Sequence, residues 1–398
     1  MIPKLDTEMG ISVYSTPFKG CGGKIRVESE DFFVKEILSK KALSGVSQDS
    51  GFGVYKLKKR NIDTFHALQD ILKKYGLRLK ALGLKDASAI TEQFVCSTSK
   101  SNSLSEIKEN KYSLSGIGFV KKPLSKKYMI GNHFRIKISN ASSEILHFNE
   151  YDKILNFFGY QRFGSKRPVT HLIGKAILER NFEKAVEILL SYTSEYDLPK
   201  NTEIRRKLSD KSNYSKILRN IPPQMDLEKT VLKKMIQNND SFAAIRALPL
   251  TIRRFFVQAY QSFLFNKTLS NAYENGENLF TPQANDICYN KNGLIEKYSN
   301  DYLQRLAIPF IGYSYYKKTR FNYYISKILN SEEIRAKDFF LKEMQEVSNE
   351  GGFRNSSINC EQFLIKNDTI SFQISRGSYA TIILREIMKP DDPILAGF

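Results

Sequence analysis

The sequence predicts an α+β fold, and three observations indicate it. Segments rich in β-branched and aromatic residues, typical of strands, occur at 24–37 (KIRVESEDFFVKEI) and 52–60 (FGVYKLKKR), and such a segment returns at 368–375 (DTISFQIS). The long stretch between the second and the third of these segments carries helical periodicity from about Tyr151 onward. The chain has 398 residues, of which 41% are hydrophobic and 12% aromatic, which is enough for an ordered core and for two domains.

The first two predicted strands are separated by a Ser- and Lys-rich loop at 39–51, and a helix follows the second strand. In the helix, NIDTFHALQDILKKYGL (61–77), Asp63 or Thr64 is placed to cap the start and Gly76 to end it. Helical spacing predicts that one face packs on the core. The residues of that face are Phe65, Leu68, Ile71, Leu72 and Tyr75.

Two segments, 131–139 and 368–375, alternate apolar and polar residues with the period of a half-buried strand. We expect the later one to rejoin the first part of the fold, followed by a turn at 376–379 and a helix at 380–389. The predicted inward residues are Phe134, Ile136 and Ile138, then Ile370, Phe372 and Ile374; the outward residues of the first strand are His133, Arg135 and Lys137.

From about Tyr151 the periodicity becomes helical, most clearly at 170–180 and 251–273. In the longer segment the apolar residues that recur at helical spacing are Ile252, Phe255, Phe256, Ala259 and Phe263. The middle of the chain is therefore predicted to be a second unit.

The charge balance indicates an acidic partner. There are 61 Lys and Arg against 42 Asp and Glu, a net charge of +19, and such a surface attracts phosphate backbones or acidic membranes, although it also aids solubility. No apolar run approaches the ~18 residues that span a bilayer, and no basic amphipathic segment stands out. Nucleic acid is the favoured partner. The first residues lack a secretory-signal pattern, so we expect a cytoplasmic protein.

The cysteines and histidines indicate neither a disulfide framework nor a metal site. The cysteine spacing fits no zinc-ligand set, and the few histidines offer little for a metal site or a His-based catalytic triad. We expect reduced cysteines that pack in the interior. These residues are Cys21, Cys96, Cys288 and Cys360, with His66, His133, His147 and His171.

The sharpest local feature is GLKDASAITEQF (83–94), where Lys85 and Asp86 lie in a short turn before an apparent strand. Loops held between rigid elements often carry catalytic groups. Taken alone, however, an Asp in such a turn is more often a turn or cap residue. The motif gains meaning only from the rest of the chain.

Six blocks in order resemble the TruD family of tRNA pseudouridine synthases along nearly the whole chain. They are EDFFVKEI (30–37), GLKDASAITEQF (83–94), GNHFRI (131–136), NFFGYQRFGSKRPVTHLIGKAIL (156–178), AYQSFLFN (259–266) and GSYATIILREIMK (377–389). The forms QRFGSKRPVTHL and SYATIILREIMK are similar to the archaeal or eukaryotic-type branch.

This resemblance implies a pseudouridine synthase catalytic domain with an antiparallel or mixed sheet, made of residues 1–153 and 354–398. A mostly helical insertion domain, 154–353, would interrupt it. The implied reaction isomerises uridine to pseudouridine, with uridine 13 of tRNA as target. It needs no cofactor and no metal, and we expect neither a protein partner nor a guide RNA.

The resemblance also implies the site residues. Asp86 matches the nucleophile, which would add either to the base or to the sugar carbon. Phe32, Asn132 and Tyr379 match positions at the flipped nucleotide; without the resemblance they would equally be packing or turn residues. We further predict that the Tyr379 hydroxyl assists as a general base. Lys85 would keep Asp86 charged or hold a phosphate, unless it is a solvated surface residue.

The block at 156–178 implies further contacts. Gln161, Arg162 and Phe163 match the crossing into the insertion, and Arg162, Lys166 and Arg167 are placed to bind phosphates, although Arg162 could be a structural ion-pair partner. AYQSFLFN has the spacing of a core helix, so we assign it to packing. Two other functions are possible: an inactive RNA-binding or RNA-chaperone protein of the same fold, and a metal-dependent nuclease, for which clustered carboxylates are lacking.

Overall fold

A computed structural model describes residues 1–83, 85 and 89–398. Asp86 lies outside the described residues. The fold is α+β with a mixed sheet, as predicted. The described part of the chain contains thirteen strands: β1 (Phe32–Leu38), β2 (Gly51–Lys59), β3 (Leu79–Ala81), β4 (Ile90–Ser101), β5 (Ile107–Lys108), β6 (Tyr112–Val120), β7 (Met129–Lys137), β8 (Ile287–Tyr289), β9 (Ile295–Lys297), β10 (Arg305–Phe310), β11 (Gly352–Asn355), β12 (Cys360–Lys366) and β13 (Thr369–Ser375).

Helices are short in the first part of the chain and dominate the middle. Within the described ranges they are α1 (Lys4–Glu8), α2 (Lys40–Ser44), α3 (Thr64–Tyr75), α4 (Thr170–Leu178), α5 (Phe182–Ser191), α6 (Pro199–Lys207), α7 (Tyr214–Asn220), α8 (Asp226–Asn238), α9 (Ser241–Arg246), α10 (Leu250–Glu274), α11 (Asn322–Ser331) and α12 (Ala380–Met388).

The large sheet brings the two ends of the chain together. Its order is β12-β13-β7-β1-β4-β2-β6-β5, with β3 paired to β4. β1 runs parallel to β4 and antiparallel to β7, and β13 adds to the other side of β7 with Phe372 opposite Phe134. The prediction that the terminal strand rejoins the first part is confirmed, and the alternation expected for β7 and β13 is observed.

The helix α3 begins and ends as predicted, but only part of its predicted core face is buried: Ile71 is fully buried and Leu68 packs against the core. The Asp63 side chain accepts a hydrogen bond from the His66 backbone N–H, and Gly76 ends the helix in the left-handed region at φ 66°. Phe65, Leu72 and Tyr75 are exposed, so their assignment to the core face was wrong. The buried residues are Thr64, Ala67 and Ile71, because the helix turns its Thr64 side towards the sheet.

The middle of the chain packs around α10, which is buried on almost all sides. Helices α4 and α11 pack against it, and a smaller sheet of order β11-β10-β8-β9 lies beside them. The block 259–266 belongs to this helix: Asn266 bonds the Phe158 backbone through both amide atoms, at 2.8 and 3.2 Å, which confirms the packing assignment. The division into 1–153 with 354–398 against 154–353 stays a prediction. Across the described residues, no helix is both long and apolar enough to cross a membrane.

Candidate active site

A cavity of about 570 Å³ opens where β1, β4 and β7 meet the start of α12. Its described lining mixes aromatic and cationic side chains and includes no Asp or Glu side chain. It therefore offers a positive, partly apolar environment that suits a nucleotide. The lining residues are Arg26, Phe32, Val34, Lys85, Ala89, Thr91, Asn132, Phe134, Gln161, Ser165, Lys166, Ser378, Tyr379, Ala380, Thr381, Ile394, Gly397 and Phe398.

One wall of the cavity is built by strand alternation. Phe32 and Val34 lie two apart on β1, and Phe134 faces them from β7, so all three point to the same side of the sheet. The rings of Phe32 and Phe134 meet edge to face with centroids 6.2 Å apart. The Arg26 guanidinium lies 4.1 Å from the Phe32 ring centroid. The wall is thus an aromatic surface with a cation lying over one of its rings.

The polar side of the cavity is built on Lys85. Its ammonium lies 3.2 Å from Glu36 Oε1 and donates to Asn132 Oδ1 at 2.9 Å. The Glu36 carboxylate has no solvent exposure; burial raises its pKa, and the charge of Lys85 opposes that rise. The Phe94 backbone N–H also donates to Glu36, at 2.9 Å. Lys85 is held inside the fold, with 13% of its side chain exposed, so it is not a solvated surface lysine.

The backbone around Lys85 is fixed by the start of α3. The Lys85 N–H donates to the Thr64 hydroxyl at 2.9 Å, and the Lys85 carbonyl accepts from the Thr64 N–H at 3.2 Å. The buried Lys59 ammonium donates to the same carbonyl at 3.1 Å. Gln93 donates to the Gly83 carbonyl at 3.2 Å and accepts from the Thr64 hydroxyl at 2.8 Å. Interior hydrogen bonds therefore hold both the backbone N–H and the backbone carbonyl of Lys85, the residue directly before Asp86.

The opposite wall is the beginning of α12, where Tyr379 is the residue before the helix. A side chain at Gly159 would lie 2.8 Å from Thr381 Oγ1 and 3.0 Å from Tyr379 Cδ1, so glycine leaves room for both residues. The Tyr379 ring lies 6.0 Å from that of Phe158. Tyr379 is thus packed on one side and lines the cavity on the other.

Beneath this wall a fully buried charge cluster holds α12. Arg385 donates to Asp6 at 2.5 Å and to Glu386 at 3.0 Å, and Tyr160 donates to Asp6 at 2.7 Å. All three charged side chains have no solvent exposure. The cluster joins α1, the turn before Gln161 and α12, and so fixes the residues that carry the cavity wall.

The turn after Tyr160 brings only part of the predicted set to the cavity. Gln161 lines it and accepts from the Thr381 hydroxyl at 3.4 Å. The Arg162 guanidinium instead lies over the rings of Phe158 and Phe255, at 5.3 and 5.2 Å. Phe163 is fully buried, and neither it nor Arg162 appears in the described lining.

The two following cations have different surroundings. Lys166 is exposed and lines the cavity. Arg167 pairs with Glu228 at 3.1 Å and donates to the carbonyls of Ile188 and Leu189 at 3.0 and 2.5 Å. The prediction that Arg167 binds phosphate is wrong, because both terminal nitrogens of its guanidinium bond groups of the helical region and the residue is not part of the described cavity lining.

Several lining residues were not singled out from the sequence. Arg26 precedes the first strand, and its side chain donates to the Gly397 carbonyl at 2.7 Å, which ties the 394–398 segment to the cavity. The Thr91 hydroxyl is buried and lacks a hydrogen-bond partner within the described ranges. Arg26 could have been singled out as a basic residue six positions before Phe32. The sequence of 394–398 carried no signal that it belongs to the site.

Comparison with known proteins gives the family. The model of the family "tRNA pseudouridine synthase D (TruD)" matches residues 8–387. The chain belongs to the TruD family of tRNA pseudouridine synthases. The resemblance carried by the six sequence blocks is therefore confirmed, and so is the coarse function: isomerisation of uridine in tRNA.

Relatives of the TruD family match the chain over nearly its whole length. A protein of Pyrobaculum islandicum named "Probable tRNA pseudouridine synthase D" is 30% identical over 100% of this chain and 99% of its own. One of Pyrococcus furiosus with the same name is 30% identical over 94% and 98%. The crystal structure of the Methanosarcina mazei TruD chain aligns with a TM-score of 0.76 at 26% identity, covering 99% of both chains.

Proposed function

We propose that this TruD enzyme isomerises uridine 13 of tRNA and that Asp86 is its nucleophile. The observation that carries the proposal is the cavity itself, which collects Phe32, Lys85, Asn132 and Tyr379 from four separate parts of the chain. Lys85 is the residue directly before Asp86, and its backbone and ammonium are both fixed. A nucleophile next to a preorganised residue is what covalent catalysis on a flipped base requires.

The reaction breaks the bond from the ribose carbon to N1 and forms a bond from the same carbon to C5. A proton leaves C5 and N1 gains one, so no electrons are transferred and no co-reactant is consumed. Asp86 would form the transient covalent bond and then leave. Tyr379, whose ring forms one wall, would take up the C5 proton on its oxygen as its own hydroxyl proton passes to water.

The surroundings of the cavity suit an extruded nucleotide. A uracil ring would lie between the Phe32 wall and the Tyr379 wall, which replaces the stacking lost when the base leaves the helix. Arg26 and Lys166 place positive charge at the cavity, where RNA phosphates would pass. The net charge of +19 supports binding of tRNA over a wider surface. We propose that the enzyme acts in the cytoplasm without a protein partner or a guide RNA, on tRNA as its first substrate and with other structured RNA as a second candidate substrate.

The test uses the full-length protein with unmodified tRNA transcript, in parallel reactions with Mg²⁺ and with EDTA, followed by nucleotide-resolution mapping of pseudouridine. We expect pseudouridine at position 13 and none in a matched transcript with cytidine at that position. Binding without any product on every RNA offered would instead support an inactive RNA-binding protein. RNA cleavage that EDTA abolishes would support the nuclease interpretation.

A further inference from the structure

Glu36, Lys85 and Asn132 form a chain of polar contacts that runs from the interior to the cavity. Glu36 and Asn132 are directly opposite each other on β1 and β7. Lys85 Nζ contacts both, at 3.2 Å from Glu36 Oε1 and 2.9 Å from Asn132 Oδ1. Glu36 is fully buried, whereas Asn132 lines the cavity. The buried Glu36 carboxylate thereby acts on the Asn132 amide at the cavity through Lys85.

The chemistry of the ammonium group decides the orientation of the Asn132 amide. A lysine ammonium has three donors and no acceptor, so the amide atom that it contacts must be the carbonyl oxygen. The amide nitrogen is then on the other side. Within the described ranges no group accepts a hydrogen bond from this nitrogen, although the residue lines the cavity. Asn132 therefore presents an N–H donor, rather than an acceptor, to whatever occupies the cavity.

We propose that Glu36 is a positioning residue which, through Lys85, fixes the Asn132 amide so that it donates to a carbonyl oxygen of the target uracil. The inference rests on the proposed function and specifies how the base is read. Uracil carries acceptor oxygens at C2 and C4, whereas cytosine carries a donor amino group at C4. A fixed donor that faces O4 selects uracil, because cytosine would place two donors opposite each other, whereas a donor that faces O2 orients the base without this selection.

The local packing supports a fixed rather than a mobile array. A Cβ atom at Gly83 would lie 3.0 Å from Glu36 Oε1 and 3.5 Å from Lys85 Nζ. The glycine backbone therefore packs directly against the ion pair, where a side chain would crowd it. Without the Glu36 charge, the largely buried ammonium of Lys85 loses its counter-charge and moves towards water. The Asn132 amide could then turn its oxygen to the cavity, which replaces the donor by an acceptor.

The test pairs each protein variant with a change of one atom in the RNA. tRNAs are assembled with uridine, 2-thiouridine or 4-thiouridine at the target position, because sulfur accepts hydrogen bonds more weakly than oxygen. Single-turnover rates on wild type should fall roughly 3- to 10-fold for one of the two thio-substituted tRNAs, the loss expected for one hydrogen bond. Asn132→Ala should react slowly with all three and lose that difference.

Glu36→Gln keeps the side-chain volume and removes the charge, so it should also lose the oxygen-to-sulfur difference, while Glu36→Asp should retain part of it. Glu30→Gln is the matched control, since Glu30 is an exposed carboxylate paired with Arg60 at 2.6 Å, and it should behave as wild type. Lys85→Met breaks the same chain at its centre and serves as a second variant if Glu36→Gln melts early. Melting curves of all variants report folding.

Two results would overturn the inference: a wild type that is insensitive to both sulfur substitutions, or folded Glu36→Gln and Lys85→Met variants that keep the wild-type sensitivity. A wild-type protein that forms no pseudouridine on the unsubstituted tRNA would be a failure of the proposed function instead. The two failures are therefore distinguishable in one experiment.

Discussion

The substitution Thr64→Val tests whether the hydrogen bonds around Lys85 position the catalytic segment. Thr64 is 1% exposed, and its hydroxyl accepts from the Lys85 N–H at 2.9 Å and donates to Gln93 Oε1 at 2.8 Å. Valine has almost the same shape, so it removes these two bonds and creates no cavity. The Lys85 N–H and the fully buried Gln93 oxygen then lack partners.

Each buried group left without a partner costs about 1–3 kcal/mol. Because Lys85 is only partly buried, we expect the summed cost of the two unpaired groups to lie near the lower end of this range, about 2 kcal/mol. This cost falls on the segment that leads into Asp86. In rate terms about 2 kcal/mol corresponds to roughly 30-fold. Thr64→Val should therefore slow single-turnover pseudouridine formation by one to two orders of magnitude, with tRNA affinity close to that of the wild type.

The assay measures single-turnover pseudouridine formation, tRNA binding and thermal melting on the same preparations. Thr98→Val is the matched control, because Thr98 is exposed and its hydroxyl makes only a 3.3 Å bond to a carbonyl. A Thr64→Val enzyme that melts earlier yet keeps its rate within twofold of wild type would show that these bonds stabilise the fold without positioning the reaction.

Three further predictions concern the cavity wall and the core. Arg385→Met leaves two carboxylates buried without their cation, so the free energy of unfolding should fall by about 3–5 kcal/mol; an unchanged melting temperature would contradict this. Burial lowers the pKa of His171 from 6.5 to about 4, so the unfolded chain binds a proton first and stability should fall as pH drops from about 6.5 towards 4, by at most about 3 kcal/mol. His171→Gln should flatten that part of the unfolding profile, and an unaltered slope would refute the assignment. Tyr379→Phe keeps the ring that lines the cavity and should slow the single-turnover rate at least tenfold, whereas an unchanged rate would mean that the ring alone matters.

The strands were predictable because their residues alternate. In β7 and β13 the polar and apolar positions follow a period of two, and this period survives in the folded chain because one face of the sheet is buried. The ends of α3 were predictable from Asp63 and Gly76 for a local reason: caps depend on a few neighbouring backbone groups.

The buried face of α3 was not predictable from hydrophobicity alone. Phe65 and Tyr75 are turned to solvent, and Tyr75 instead donates to Glu109 at 2.7 Å. The core side of the helix carries Ala67 and Ile71 together with Thr64, whose hydroxyl bonds Lys85 and Gln93. Polar contacts of this kind between distant segments leave no periodic signal in the sequence.

The candidate site was predictable to the extent that its residues lie in family blocks. Phe32, Lys85, Asn132, Gln161 and Tyr379 all reach one cavity in the structure. Their supports could not be inferred, because the Arg26 bond to Gly397 spans 371 positions and the Arg385 bond to Asp6 spans 379. Arg167 shows the converse, since a basic residue beside the site is used inside the helical region.

The most direct test of the central claim is single-turnover pseudouridine formation at position 13 of unmodified tRNA by Asp86→Asn. This substitution removes the charge and the nucleophile and leaves the phosphate-binding surface unaltered. We predict no product over times in which the wild type reacts to completion, with a tRNA dissociation constant close to that of the wild type. Pseudouridine formed by Asp86→Asn at a rate near that of the wild type would contradict the account.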